Sequence, residues 1–172
     1  MKTHKRYKFL RTGLKSHYGI KKWKKNHWYK YNGDLKIYKT GFHCSKKIYQ
    51  AFSWVQGEIL AEVEVRGKSI KEDDKETWSE MRIVNTWKWQ KKDSVALAIY
   101  AAELVLENFE KEYPKDKSPR QAIEAAKKVL KNNNAKNRFA AESATWFASR
   151  SAVINKISKW MDNHLKALDK IN

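Results

Sequence analysis

From Ile59 to Gly67 the chain reads Ile-Leu-Ala-Glu-Val-Glu-Val-Arg-Gly, and no other stretch limits the fold as tightly. Ile59, Ala61, Val63 and Val65 alternate with Glu62, Glu64 and Arg66, the period of a strand with one buried and one wet face. A strand of that kind belongs in an antiparallel sheet packed on one side only. Neighbours are available. Tyr7 and Phe9 alternate with Lys8 and Leu10, and Phe42 to Ser45 and Met81 to Trp89 read as further strands. Trp28-Tyr29-Lys30-Tyr31 runs through Asn32-Gly33-Asp34 into Leu35-Lys36-Ile37-Tyr38, which predicts a hairpin around Gly33. Lys46 to Trp54 has helical spacing. The acidic run Lys71 to Glu76 is expected to be a polar loop whose carboxylates would neutralise some of the basic segment.

At Asp93 the period changes from two to 3.6. Val95, Ile99, Ala102, Leu106, Phe109 and Tyr113 recur at spacings of three and four, with Asp93 as the expected cap and Pro114 as the stop. Ser118-Pro119-Arg120-Gln121 resembles a capping box and launches a second helix with Ile123, Ala126 and Leu130 inward. Asn132 to Asn134 is the next break. Ala135 to Asn172 carries Phe139, Trp146, Val153, Ile157, Trp160, Met161, Leu165 and Leu168 on a helical period, with a break expected near Ser149 to Ser151. The expected fold class is therefore α+β. A small N-terminal antiparallel-sheet-rich unit, residues 1–90, is expected to pack on a C-terminal three- to four-helix bundle, residues 91–172.

Charge is concentrated at one end. Of a net +18, residues 1–50 supply +14, because fifteen Lys or Arg stand there against Asp34 alone. A field of that sign attracts nucleic acid or an acidic nucleoprotein; the bland alternative is a solvated lysine-rich face. Lys21, Lys22, Trp23, Lys24, Lys25 and Lys30 are the expected contacts, since lysines draw phosphate and an exposed aromatic ring stacks on bases. Trp23 and Trp28 have a second reading as core anchors.

The single cysteine, Cys44, cannot form an internal disulfide, and no stretch nears the roughly 20 apolar residues of a membrane span, so a cytoplasmic protein without membrane contact is expected. Consecutive strand residues point to opposite faces, so His43 and Cys44 are not expected to act as a catalytic pair; a buried thiol and a hydrogen-bonded imidazole are. A pocket beside His43 and Ser45 is the remaining candidate. The histidines show no metal-ligand spacing, and no cofactor or metal is expected. Asp73-Asp74 and Glu62 with Glu64 read as solvated carboxylates.

Three resemblances bear on these residues. Trp28-Tyr29, Gly41-Phe42-His43-Cys44-Ser45, Glu62 to Gly67, Asp73-Asp74-Lys75 and Met81-Arg82-Ile83 resemble a domain of unknown function from bacteriophage and prophage proteins. Ala101-Ala102-Glu103, Tyr113 to Asp116, Pro119 to Ala126 and the alanine-spaced Phe139 to Ala152 are similar to helical modules of immunity-type proteins. Gly41-Phe42-His43, Ser45 and Glu62-Val63 through Gly67 are similar to the strand-helix-strand centre of ADP-ribosyltransferases, where a tyrosine at the position of His43 stacks on nicotinamide. The first two imply a phage or mobile-element setting more than a reaction; the competing expectation to nucleic-acid binding is a toxin-neutralising or host-inhibiting protein whose helical half docks a protein partner. The third implies an enzyme or its degenerate relative. Binding rather than catalysis is the reading favoured by the residues.

Overall fold

Strands β4 (Ile59–Lys71) and β5 (Glu76–Lys88) form a long antiparallel ribbon around which the rest of the sheet is assembled. The computed structural model describes residues 2–18, 22–55, 57–132 and 151–171, excepting the side chains of residues 132 and 151–153. Two compact units emerge: Met1–Trp89 with Asp162–Asn172, and Gln90–Met161. The protein is α+β, with five strands and four α-helices among the described residues.

In the first unit β1 (His4–Leu10) pairs with β4, and the short strands β2 (Tyr29–Lys30) and β3 (Phe42–Cys44) pair with β5, all antiparallel. β4 continues past the end of its alternating pattern because Gly67, at φ +84, sits in a bulge between Arg66 and Ser69. A Cβ there would collide with Ser79 Oγ. Bulges bend and twist a strand. Tyr7 N donates to Ser45 O and Ser45 N to Tyr7 O, each at 2.9 Å, so the order β1–β4–β5–β3 returns to β1 and the sheet closes into a ring. Directly opposed residues share a face, so the pairs Leu10↔Ile59, Lys8↔Ala61 and Arg6↔Val63 put those three β1 side chains on the buried side of β4. Leu10, Ile59, Ala61, Val63, Val65, Trp78, Met81 and Ile83 form the core there, closed by Trp23 and Cys44. Each fully buried aliphatic side chain contributes roughly 1.5–3 kcal/mol. On the other side Phe9 meets Phe52 of α1 (Ile48–Trp54) and Trp89 edge-on at 5.4 Å.

Several expectations need correction. No hairpin forms around Gly33: Tyr29 registers with Met81 of β5, and Lys36 O accepts bonds from Lys39 N and Thr40 N in a turn that holds Tyr38 at φ +66. The acidic run is a tight turn closed by Glu72 N to Lys75 O, and Glu76, at its end, is buried rather than solvated. Residues 169–171, expected in the helical unit, lie along β5, with Lys88 N donating to Asp169 O and Ile171 N to Thr86 O.

In the second unit α2 (Lys91–Glu112) begins before Asp93, which is its third residue and accepts from Gln90 N at 2.7 Å; Gln90 is the cap. Ala98, Ile99, Ala102 and Leu106 pack with Ile123 and Ala126 of α3 (Ser118–Asn132). Tyr113 and Leu130, expected inward, are exposed. Trp160 of α4 (Ser151–His164) stacks on Tyr100, and Met161 is buried. The expected breaks at Asn133–Asn134 and near Ser149, and the positions Phe139 and Trp146, lie outside the described residues.

Candidate ligand pocket and basic face

Where the ring of strands closes, a cavity of about 570 Å³ opens in the first unit. β1 brings Lys8, β3 brings His43 and Cys44, and Ser45 follows at the seam; the 16–23 segment adds His17, Tyr18 and Trp23, the 36–40 turn adds Tyr38, α1 adds Trp54, and the β4–β5 turn adds Lys75. Gly41 is required here in its left-handed conformation, at φ +85, because a Cβ would strike Thr77 and Leu35.

The wall is cationic and aromatic. Lys8 Nζ lies 4.7 Å from the Trp23 ring centre, and Lys75 Nζ lies 4.0 Å from Trp54 and 4.5 Å from Tyr38. Neither lysine forms an ion pair among the described residues. Burial, with Lys75 nearby, holds Lys8 down to about 8. Burial and the charges of Lys75 and Lys8 hold His43 down to about 4, against a weaker opposing hydrogen bond to the Lys36 backbone. His43 is therefore a neutral imidazole at pH 7. Burial pushes the Cys44 thiol up to about 12, so it stays protonated and is a poor nucleophile.

Two buried side-chain polar atoms among the described residues have no hydrogen-bond partner, His17 Nδ1 and His43 Nε2, and both residues line this cavity. An unsatisfied buried polar atom costs about 1–3 kcal/mol. Three exposed aromatics stand at the same place: Tyr18 (79%), Tyr38 (50%) and Trp54 (39%). Half-buried amines without carboxylates, orphaned imidazole nitrogens and exposed rings are features of a surface that receives something.

Of the residues expected to bind, His43 and Ser45 come together in the cavity. Lys22, Lys24 and Lys30 are exposed, and Lys21 lies outside the described residues. Lys25 is tied down, its Nζ donating to Ile171 O at 2.9 Å. Trp23 is no stacking platform: it is 3% exposed, its Nε1 donates to Ser16 Oγ, and Tyr29 and Phe42 meet it edge-on. Core packing decided its two readings. Trp28 is partly buried beneath the guanidinium of Arg66, 4.0 Å from its ring centre. Backbone bridges set Arg11 beside Lys15 and Lys15 beside Lys22, a cationic row on the segment that forms the cavity's rim. Lys8 and Lys75 were missed by sequence reasoning, although a lysine sharing a strand face with Leu10 was the available signal.

A family model for a domain of unknown function, DUF7666, matches residues 4–93. The chain belongs to that family. The DUF7666 match takes in all five strands, α1 and every residue that lines the cavity. No curated protein and no solved structure matches the chain. Among the described residues no helix is long and apolar enough to cross a membrane, and no cluster of metal-ligand side chains occurs.

Proposed function

We propose that the DUF7666 unit is a non-enzymatic module that binds single-stranded nucleic acid, in the phage or mobile-element setting that the sequence resemblance implies. The observation that supports this is the division of charge in the unit. Its buried and strand-borne carboxylates are engaged with other partners: Glu76 with Arg6, Glu62 with Lys5, Glu64 with Arg82 and Glu80 with Arg66. Glu72 accepts from Tyr38 and Glu58 from Thr12. Lys15, Lys22, Lys24 and Lys30 are left exposed and without ion pairs among the described residues, and Lys15 and Lys22 bridge on the segment that carries the exposed Tyr18 ring of the cavity lining. Lysines track phosphates, and aromatic faces accept bases of any sequence.

The enzyme alternative finds less support, because among the described residues the cavity's lining contains no Asp or Glu to stabilise a developing positive charge on a sugar. A mobility-shift series with a fluorescent oligonucleotide tests the binding reading. Affinity is expected to fall steeply with salt, with a log–log slope of about −0.7 per phosphate engaged. The triple variant Lys22→Glu, Lys24→Glu, Lys30→Glu is expected to abolish binding. Unchanged affinity in that variant, or a salt-independent one, overturns the reading and favours a protein partner.

A further inference from the structure

We infer that the cavity closed by Lys8, His43 and Lys75 is a binding site for one nucleoside phosphate unit, either free or at the end of a strand. The inference deepens the strand-binding reading by naming the occupant of the pocket, and it rests on that reading only for the strand-end case.

Three features of the cavity select this chemistry together. The first is charge: two amines from different elements, β1 and the β4–β5 turn, face one space with no carboxylate among the described residues of its lining. A compact ammonium is suited to phosphate as a point charge. The second is the ring surface. Trp54 and Tyr38 lie 5.2 Å apart at the mouth, with Lys75 over both, and Tyr18 stands exposed nearby, so a planar heterocycle has faces to lie against. The third is the orphaned Nε2 of His43. Its imidazole already bonds the Lys36 backbone, so Nε2 presents a lone pair to a ligand N–H or O–H, which a base amino group or a sugar hydroxyl supplies. Inorganic phosphate satisfies only the first feature, and a nucleoside only the other two. The volume, about 570 Å³, lies within the roughly 300–1,000 Å³ typical of small-molecule sites.

The test is a titration of the full chain, followed by tryptophan fluorescence and calorimetry, with nucleoside 5′-monophosphates, the matching nucleosides and inorganic phosphate. Monophosphates are expected to bind at least about tenfold more tightly than either fragment. Lys8→Met, Lys75→Met and Trp54→Ala are each expected to weaken monophosphate binding about tenfold or more. Circular dichroism and melting of each variant check the fold, and Trp54→Ala alters an exposed ring, so it stays informative if Lys8→Met disturbs the core. Oligonucleotides with a 5′-phosphate, compared with 5′-hydroxyl versions, separate the strand-end source from the free one. Equal affinity for nucleoside and monophosphate, or binding indifferent to both Lys75→Met and Trp54→Ala, overturns the assignment. Loss of strand binding in the Lys22, Lys24, Lys30 variant with monophosphate binding intact leaves the site standing. Failure of monophosphates alone removes the site and spares the strand-binding reading.

Discussion

On the wet face of the β4–β5 ribbon, cations stand opposite carboxylates; around the cavity they stand opposite rings. Arg82 reaches Glu64 at 2.6 Å, Arg66 reaches Glu80 at 2.7 Å and Lys5 reaches Glu62 at 2.5 Å. Lys8 and Lys75 instead lie over Trp23, Trp54 and Tyr38. Both regions use residues of the same kinds. The first has paired its charges with one another, whereas the second sets its amines against ring faces and keeps imidazole nitrogens without a hydrogen-bond partner. Between them lies Glu76, 1% exposed, which accepts two bonds from Arg6 (2.6 and 3.1 Å) and one from Trp78 Nε1 (2.7 Å). Burial raises the Glu76 carboxyl, and these bonds more than offset that, leaving it below its ordinary value.

The contrast can be broken most sharply at that junction. Glu76→Gln leaves the Arg6 guanidinium without its counter-charge inside the ring, and a loss of about 3 kcal/mol in urea unfolding is expected. A variant as stable as the wild type would mean that the pair is already solvated. Next in size is Lys8→Met. The folded protein holds Lys8 at about 8, below its unfolded value of 10.5, so between those pH values the unfolded chain binds more protons and wild-type stability rises with pH. At pH 7 the desolvated charge is destabilising, and Lys8→Met is expected to gain on the order of 1–2 kcal/mol, a gain that shrinks as pH climbs from about 8 to 10.5. A gain constant across that window would sink the claim that the amine is held against its own solvation. Smallest is the wet face: a double-mutant cycle of Arg66→Ala and Glu80→Ala, read by thermal unfolding, should give a coupling of only about 0.2–1 kcal/mol.

How much of this could be read from the chain varies by residue. The β4 alternation was legible because one buried face imposes a period of two, and α1 and β3 were legible for similar local reasons. The Asn32-Gly33 turn misled, because turn chemistry is local while pairing is not; β2 found a better partner in β5 than in the segment that follows it. Trp23 is flanked by lysines, and only the tertiary contacts with Tyr29 and Phe42 reveal it as core. The run along β5 by residues 169–171 carries no periodic signal, being made of backbone bonds. His43 and Ser45 could be singled out in advance, but Lys8 and Lys75 come from positions 67 residues apart in sequence and meet only when the ring closes.

That closure has a consequence of its own. The hoop is fastened by a clasp of two main-chain contacts, Tyr7 with Ser45, and the side chains that line the cavity hang on either side of it. Because that clasp is main chain, substitutions in the lining leave the frame standing, so the chemistry of the mouth and the closure of the hoop can vary independently.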